Sequence, residues 1–235
     1  MTSGSLHDAS WLVTDRTAGA SQGAFALANL AVHVGDDPAA VRANRAALAE
    51  RIGVPHVVFT RAAHSATVTH IDGIVPDVPD SDGLVTDRPG LALAAQGADC
   101  AMVGLATADG WIGAVHCGWK GLVLGVVPAA LAVMRAAGSR LADPRAHVGP
   151  VICGKCYPVT AERAAEVAAV APEAVTEHQG NPTVDLRAGL ATQLAQHGVR
   201  ASWDPRCTAE DPRLYSHRRD GVTGRQALTI IRRAA

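Results

Sequence analysis

The stretch Ala101-Met102-Val103-Gly104-Leu105-Ala106-Thr107-Ala108-Asp109-Gly110-Trp111-Ile112-Gly113-Ala114-Val115-His116-Cys117 decides how the rest of the chain is read. Two apolar runs of strand length are separated by Asp109-Gly110. Asp-Gly between such runs is a strong hairpin signal, because a tight primed turn needs residues that tolerate positive φ. The spacing predicts strands over 101–106 and 111–115. In an antiparallel hairpin the first residue of one strand lies beside the last residue of the other. Cys100, just before the first strand, and His116, at the end of the second, are therefore placed within reach of one ion.

Outward from the hairpin, helices and strands alternate. Residues 38–52 carry Val41, Leu48 and Ile52 among polar residues, a helix begun by Asp37-Pro38. Val57–Arg61 reads as a strand. The stretch 76–89 reads as loops around a short strand, Leu84-Val85-Thr86. Gly121–Ala137 reads as a helix despite Pro128, and His147–Ile152 as a strand. Helices follow over 160–171 and 185–197, the first capped by Thr160 with Arg163 and Glu166 outward. The chain closes on the β-branched run Leu228-Thr229-Ile230-Ile231, a strand within 224–232. Mixed strands and helices with a hairpin imply an α/β or α+β sandwich rather than a pure doubly wound sheet. No repeat, low-complexity tract or linker divides the chain, so residues 1–235 are expected to form one domain.

Composition narrows the function classes. With 48% hydrophobic residues among 235, a sizeable core needs no staples. A formal net charge of −1 and 3% aromatics give neither the basic excess nor the stacking platform of a nucleic-acid binder. No window approaches the ~18 apolar residues of a membrane span, and Met1–Asp15 does not read as a secretory leader. The five scattered cysteines fit a reducing cytoplasm.

His64, Cys100 and His116 are the candidate chemistry. Two imidazoles and a thiolate are three of the four ligands of a tetrahedral zinc, and three protein ligands leave one position open, the catalytic arrangement. The same atoms serve without metal if Cys100 is a nucleophile, His116 its base and Asp99 the orienting carboxylate. Both readings need a depressed thiol pKa. Cys153-Gly154-Lys155-Cys156 is a CxxC, either a redox pair or half a zinc site. No second CxxC accompanies it and its loop is rich in turn residues, so it reads as packing. In His116-Cys117-Gly118-Trp119-Lys120-Gly121 the glycines allow close backbone approach, Trp119 offers an apolar wall, and Lys120 a charge for an anion. Arg218-Arg219 with Arg225 forms either a solvated basic turn or an anion-binding wall, and Asn44-Arg45 has the same two readings.

These pieces together resemble one family. Thr14-Asp15-Arg16-Thr17-Ala18-Gly19-Ala20-Ser21, Asn29-Leu30, His33-Val34-Gly35-Asp36-Asp37-Pro38 and Asn44-Arg45 come first. Asp82-Gly83-Leu84-Val85-Thr86, Ala98-Asp99-Cys100 and the His116–Gly121 motif follow. Gly149-Pro150, Cys156-Tyr157, Cys207-Thr208, Tyr215-Ser216-His217-Arg218-Arg219-Asp220-Gly221 and Thr223-Gly224-Arg225 complete the order. The chain resembles, nearly end to end, the bacterial multicopper-polyphenol-oxidoreductase or laccase-domain family. Its members are also called peptidoglycan editing factors and zinc-dependent purine nucleoside phosphorylases.

The resemblance implies a four-layer α/β/β/α sandwich with mixed sheets. It implies His64, Cys100 and His116 as metal ligands, zinc first and copper second, with Cys100 and His116 also catalytic. Asn29, Arg45, Lys120 and Arg218 are the expected substrate-binding residues. The implied activity is phosphorolysis of adenosine, inosine or methylthioadenosine, with adenosine deamination beside it. Small-molecule nucleoside and phosphate are the expected partners, with no nucleic acid and no membrane. Copper oxidation of phenols, a cysteine or zinc hydrolase acting on cell-wall precursors, and a metal-stabilised binding protein are the alternatives. The chain departs from the family pattern at Ala62, Lys120 and His217, where Gln, Arg and Tyr are usual; these changes bear on substrate preference rather than on the metal.

Overall fold

A computed structural model describes residues 1–73, 75 and 78–233. Pro76, where the loop-rich stretch was expected to begin, and residues 234 and 235 lie outside them. In chain order the elements are β1 (Thr2–Leu6), β2 (Ala9–Val13), α1 (Pro38–Ile52), β3 (Val57–Arg61), β4 (Val68–His70), β5 (Val78–Pro79), β6 (Gly83–Thr86), β7 (Ala92–Gly97), β8 (Ala101–Ala106) and β9 (Ile112–Cys117). Then follow α2 (Trp119–Leu124), α3 (Val126–Ala136), β10 (Arg145–Val148), α4 (Ala161–Ala168), β11 (Val175–His178), β12 (Asn181–Val184), α5 (Leu186–Gln196), β13 (Arg200–Trp203), α6 (His217–Asp220) and β14 (Gln226–Arg232).

Two six-stranded mixed sheets, ordered β1-β2-β14-β7-β3-β5 and β13-β10-β8-β9-β6-β4, pack face to face. Between them lie Val13, Val58, Leu93, Ala95 and Leu228 from the first sheet, and Leu84, Met102, Ile112 and Ala114 from the second. Leu48 and Ile52 of α1 cover the outer face of the first sheet against Phe59, Ala92 and Ala94. Leu122, Val127, Leu131, Met134 and Leu190 of the other helices cover the second against Val103, Leu105 and Val115. The order is α/β/β/α.

The hairpin forms as expected, with Ala101 opposite Cys117, Met102 opposite His116 and Ala106 opposite Ile112. Its loop is longer than a two-residue turn. The Thr107 N–H donates to Trp111 O at 2.9 Å, and the Thr107 hydroxyl oxygen accepts from Trp111 N. Gly110 holds φ +90°, which favours glycine. Asp109 does a different job from a turn residue: its carboxylate accepts from Ser139 Oγ and from the N–H groups of Arg140 and Ala142, tying the hairpin to the α3–β10 connection. Burial pushes its pKa up, but these donors, together with the Thr107 hydroxyl, hold it down to about 2. The folded pKa lies below the unfolded ~3.9, so this stabilisation is present above about pH 4 and is lost as pH falls through about 2. Asp109→Ala is expected to cost about 1–2 kcal/mol and to lower the melting temperature by about 5 °C at neutral pH. A differential scanning calorimetry pair checks it, and the deficit should shrink near pH 2.

Two sequence expectations shift. The helix over 121–137 is two helices, because Gly125 adopts φ +72° and caps the first while leading the second. Pro128 then falls in the first turn of α3, where its missing N–H has no helical partner to lose. The strand over 147–152 is displaced to 145–148, since Gly149-Pro150 ends it. Asp37, Thr160 and Asp185 accept first-turn N–H bonds as helix caps.

Candidate metal centre

In β9 the side chains alternate. Ile112 and Ala114 join the inter-sheet core, while Val115 and Cys117 join the helix side. His116 shares the parity of Ile112 and Ala114, so its imidazole faces the first sheet, where it lines a cavity with Thr60 and Gln96. Cys100 precedes β8 across the hairpin, and the loop after β3 brings His64. The three ligand atoms lie within 4.8 Å of one another. Cys100 Sγ is 4.0 Å from His64 Nε2, and the two imidazoles meet edge to face with centroids 5.0 Å apart. Zinc–sulfur and zinc–nitrogen bonds of about 2.3 and 2.0 Å need donor separations of roughly 3.3–3.5 Å. Small side-chain rotations close that gap, so the donor set fits a tetrahedral ion with an open position.

Asp82 organises the cluster, and sequence reasoning missed it. Its fully buried carboxylate accepts from His116 Nδ1 at 2.9 Å, from the N–H groups of Ala63, His64 and Ser65, and from Ser65 Oγ. With Nδ1–H engaged, His116 keeps Nε2 for an ion. Burial alone raises the Asp82 pKa, but His116 and Ser65 bring it down to about 2. Burial likewise opposes charge on His116, yet Cys100 and Asp82 raise its pKa to about 9. Cys100, pushed up by desolvation, is lowered to about 6 by His116 and His64. Without an ion the thiolate and imidazolium forms thus support each other, and a metal bound at Nε2 would take the place of the proton there. Cys117, on the helix side, is pushed far up by burial and stays a thiol.

The backbone is strained on both sides. His64 holds φ +55° and Asp99 φ +93°, conformations of higher energy for non-glycine residues. Asp82 fixes the first through the His64 N–H. Asp99 is fixed because its carboxylate accepts from Thr208 Oγ1 and the Arg218 N–H, and its carbonyl accepts from Ile152 N. Gly118 matters by close approach: a Cβ there would stand 2.9 Å from Cys100 Sγ and 3.3 Å from His64 Cδ2.

Two adjoining cavities of about 330 and 250 Å³ share His64, Cys100 and His217. The first has Trp119, Tyr157, Arg163 and Arg218 in its wall; the second reaches Gln96 and Arg225. The Arg163 guanidinium stacks 4.6 Å over Trp119, and that of Arg218 lies 4.8 Å over Tyr157. Arg163, expected to face outward, is therefore a cleft residue. Arg218, expected to bind substrate, lines the first cavity.

Three expected substrate-binding residues lie elsewhere. Arg45 donates from Nε to Leu30 O and stacks 4.0 Å over Phe59, lining a separate cavity on the α1 side. Its stem is used to cover the first sheet's outer face. Lys120 is exposed on α2 and lines neither cavity, because the helix that starts at Trp119 turns it toward solvent. Asn29 is fully buried and accepts from the Arg225 and Ala31 N–H groups; it positions Arg225 rather than meeting the cleft. No local motif marked Arg163 as a cleft residue or Asp82 as the partner of His116.

Among the described residues, Cys153, Cys156 and Cys207 form a second group whose sulfurs lie within 4.8 Å of one another. Burial and the neighbouring thiols push Cys153 up to about 12. No helix among the described residues is long and apolar enough to cross a membrane.

Comparison with known proteins agrees with this architecture. A Mycobacterium tuberculosis purine nucleoside phosphorylase is 47% identical over 225 residues, covering 93% of this chain and 90% of its own. One from Streptomyces griseus is 44% identical over 232 residues, covering 95% and 93%. The crystal structure of the Bacillus licheniformis hypothetical protein YfiH superimposes with a TM-score of 0.89 at 29% identity, covering 95% of this chain and 92% of that one. A DUF152-family protein from Neisseria meningitidis gives 0.86 at 32% identity, covering 97% and 95%. The family model for multi-copper polyphenol oxidoreductase laccase matches residues 10–233, and the chain belongs to that family.

Proposed function

We propose that this chain is a cytoplasmic zinc-dependent purine nucleoside phosphorylase that acts as a single catalytic domain and also deaminates adenosine. The observation that carries the reading is the convergence of His64, Cys100 and His116 on a cleft walled by two arginines and two aromatic rings. Relatives at 47% and 44% identity named purine nucleoside phosphorylase support it. His64, Cys100 and His116 hold the ion. When bound, zinc supplies Lewis-acid polarisation at the open face of the site.

The chain's own residues account for the rest. Cavities of this size suit a small molecule, which typically takes about 300–1,000 Å³. Trp119 and Tyr157 offer flat apolar surface to a purine or ribose. Arg163 and Arg218 neutralise phosphate, and their planar forks suit its oxygens. In phosphorolysis a phosphate oxygen bonds to ribose C1′ while the bond from C1′ to the purine nitrogen breaks, and the base leaves with a proton. Tyr157, whose pKa is raised by burial and by the Cys100 charge, keeps its hydroxyl proton and can donate to the departing base. In deamination, water adds at C6 of adenosine and ammonia leaves.

Zinc-loaded protein incubated with adenosine and phosphate is expected to yield adenine and ribose 1-phosphate, with some inosine. Omitting phosphate should remove adenine and leave inosine. No product under either condition ends the proposal. Arg218→Lys keeps the charge but loses the fork. It is expected to raise KM for phosphate about tenfold, in line with the ~1.5–3 kcal/mol of a hydrogen bond to a charged group, while KM for nucleoside changes little. Equal effects on both constants would reject the phosphate role.

Copper oxidation of phenols is the second reading, because two imidazoles and a thiolate also suit copper. Among the described residues no further imidazole cluster exists to hold additional coppers. Elemental analysis of native protein, taken before any metal-affinity step, separates the two.

A further inference from the structure

Three cysteines outside the nucleoside cleft are brought together by the second sheet. β10 and β13 run parallel, with Val148 opposite Trp203. The segments that leave them stay paired: Asp204 N donates to Val148 O, Thr208 N to Val151 O, and Cys153 N to Cys207 Sγ at 3.2 Å. Each segment then makes the same tight turn. Cys156 N donates to Cys153 O at 3.0 Å, and Glu210 N donates to Cys207 O at 3.2 Å. Cys-x-x-Cys and Cys-x-x-Glu thus face each other as two turns, and Cys156 Sγ lies 3.8 Å from Glu210 Oε1.

We infer that Cys153, Cys156 and Cys207, with Glu210 as oxygen donor, form a second zinc-binding site that clamps these two turns together. Sulfurs mutually within 4.8 Å match the roughly 3.8 Å edges of a tetrahedral zinc–thiolate site after small rotations. The Cys153 N–H already points at Cys207 Sγ, and a bound ion would take the place of the thiol protons. Lys155 offsets excess negative charge through its 2.8 Å ion pair with Glu210. Four protein donors make this a closed, structural site, unlike the open one at His64, Cys100 and His116. Its position gives it leverage on the cleft. Tyr157 follows Cys156 directly, and Thr208, which follows Cys207, donates to the Asp99 carboxylate beside Cys100. The inference does not depend on the nucleoside reading.

The test uses the full-length protein, stripped with chelator under reducing conditions and reloaded with zinc. Alkylation mapped by mass spectrometry should slow at Cys153, Cys156 and Cys207 by about tenfold or more when zinc is present. Cobalt(II) added to the His64→Ala/His116→Ala variant should still bind one equivalent with intense sulfur-to-metal charge transfer, and Cys207→Ser in that background should lose it. If zinc leaves alkylation of the three thiols unchanged, the proposal fails whether or not the Cys207→Ser variant folds. A Cys153–Cys156 disulfide in protein isolated without oxidant also overturns it. Failure here leaves phosphorolysis assays untouched, so the two readings fail separately.

Discussion

Cys100→Ala is expected to reduce phosphorolysis by about 10³-fold, the equivalent of several kcal/mol of lost transition-state stabilisation. Cys100 provides the sulfur of the His64–Cys100–His116 donor set, and its charge raises the His116 pKa. Without it two imidazoles remain, too few to hold zinc firmly at neutral pH. The fold should survive, because alanine fits the space of a half-buried thiol at the start of a hairpin whose register is set by main-chain bonds. Three measurements check this: kcat/KM with adenosine and phosphate, zinc content, and thermal melting. An NMR titration adds an independent readout, since His116 should titrate below about 9 once the Cys100 charge is gone. Wild-type turnover by a Cys100→Ala protein depleted of metal at the imidazoles would remove the metal centre from the mechanism.

Asp82→Ala is expected to have the largest effect on stability. The substitution removes the buried carboxylate that three half-buried N–H donors and the buried His116 ring all point at. Breaking such a buried charged network costs about 3–5 kcal/mol, or roughly 10 °C in melting temperature for a domain of this size. Asp82→Asn separates structure from chemistry. An amide oxygen still accepts from some of these donors, but it no longer fixes the His116 imidazole as a carboxylate does. Zinc affinity is expected to fall about 10–100-fold with a smaller thermal shift. The sign with pH follows from Asp82's folded pKa of about 2. Its contribution is present above the unfolded ~3.9 and is lost as pH falls through about 2. Wild type and Asp82→Ala should therefore converge in stability at the acid end. A constant gap from pH 7 to pH 2 would show that the lost donors, not the charge, account for the effect.

The local devices of this fold were legible because they depend on neighbours in sequence. Asp37-Pro38 starts α1, Thr160 caps α4, and Gly110 at φ +90° turns the hairpin. The Ala-rich strand β7 gave no such signal. Alanine favours helix in isolation, and β7 is a strand because it is sandwiched, with Ala92 and Ala94 packed toward α1 and Leu93 and Ala95 toward the second sheet. The polar β1 was equally silent, since it is held by pairing with β2 at the sheet edge.

By itself the sequence determined the family, through the order of its motifs, and the adjacency of Cys100 and His116, through the hairpin register. The resemblance named His64 as a ligand, and the fold brings it, 36 residues from Cys100, to the same point; tertiary structure alone decided that Asp82 orients His116, that Arg163 rather than Lys120 or Arg45 walls the cleft, and that Cys207 joins the CxxC. The reason is physical. Caps and turns are closed by bonds between residues a few positions apart, whereas these meetings depend on how two sheets stack and where their connecting loops part. That arrangement is set by the summed packing of the core, and no single stretch of residues encodes it.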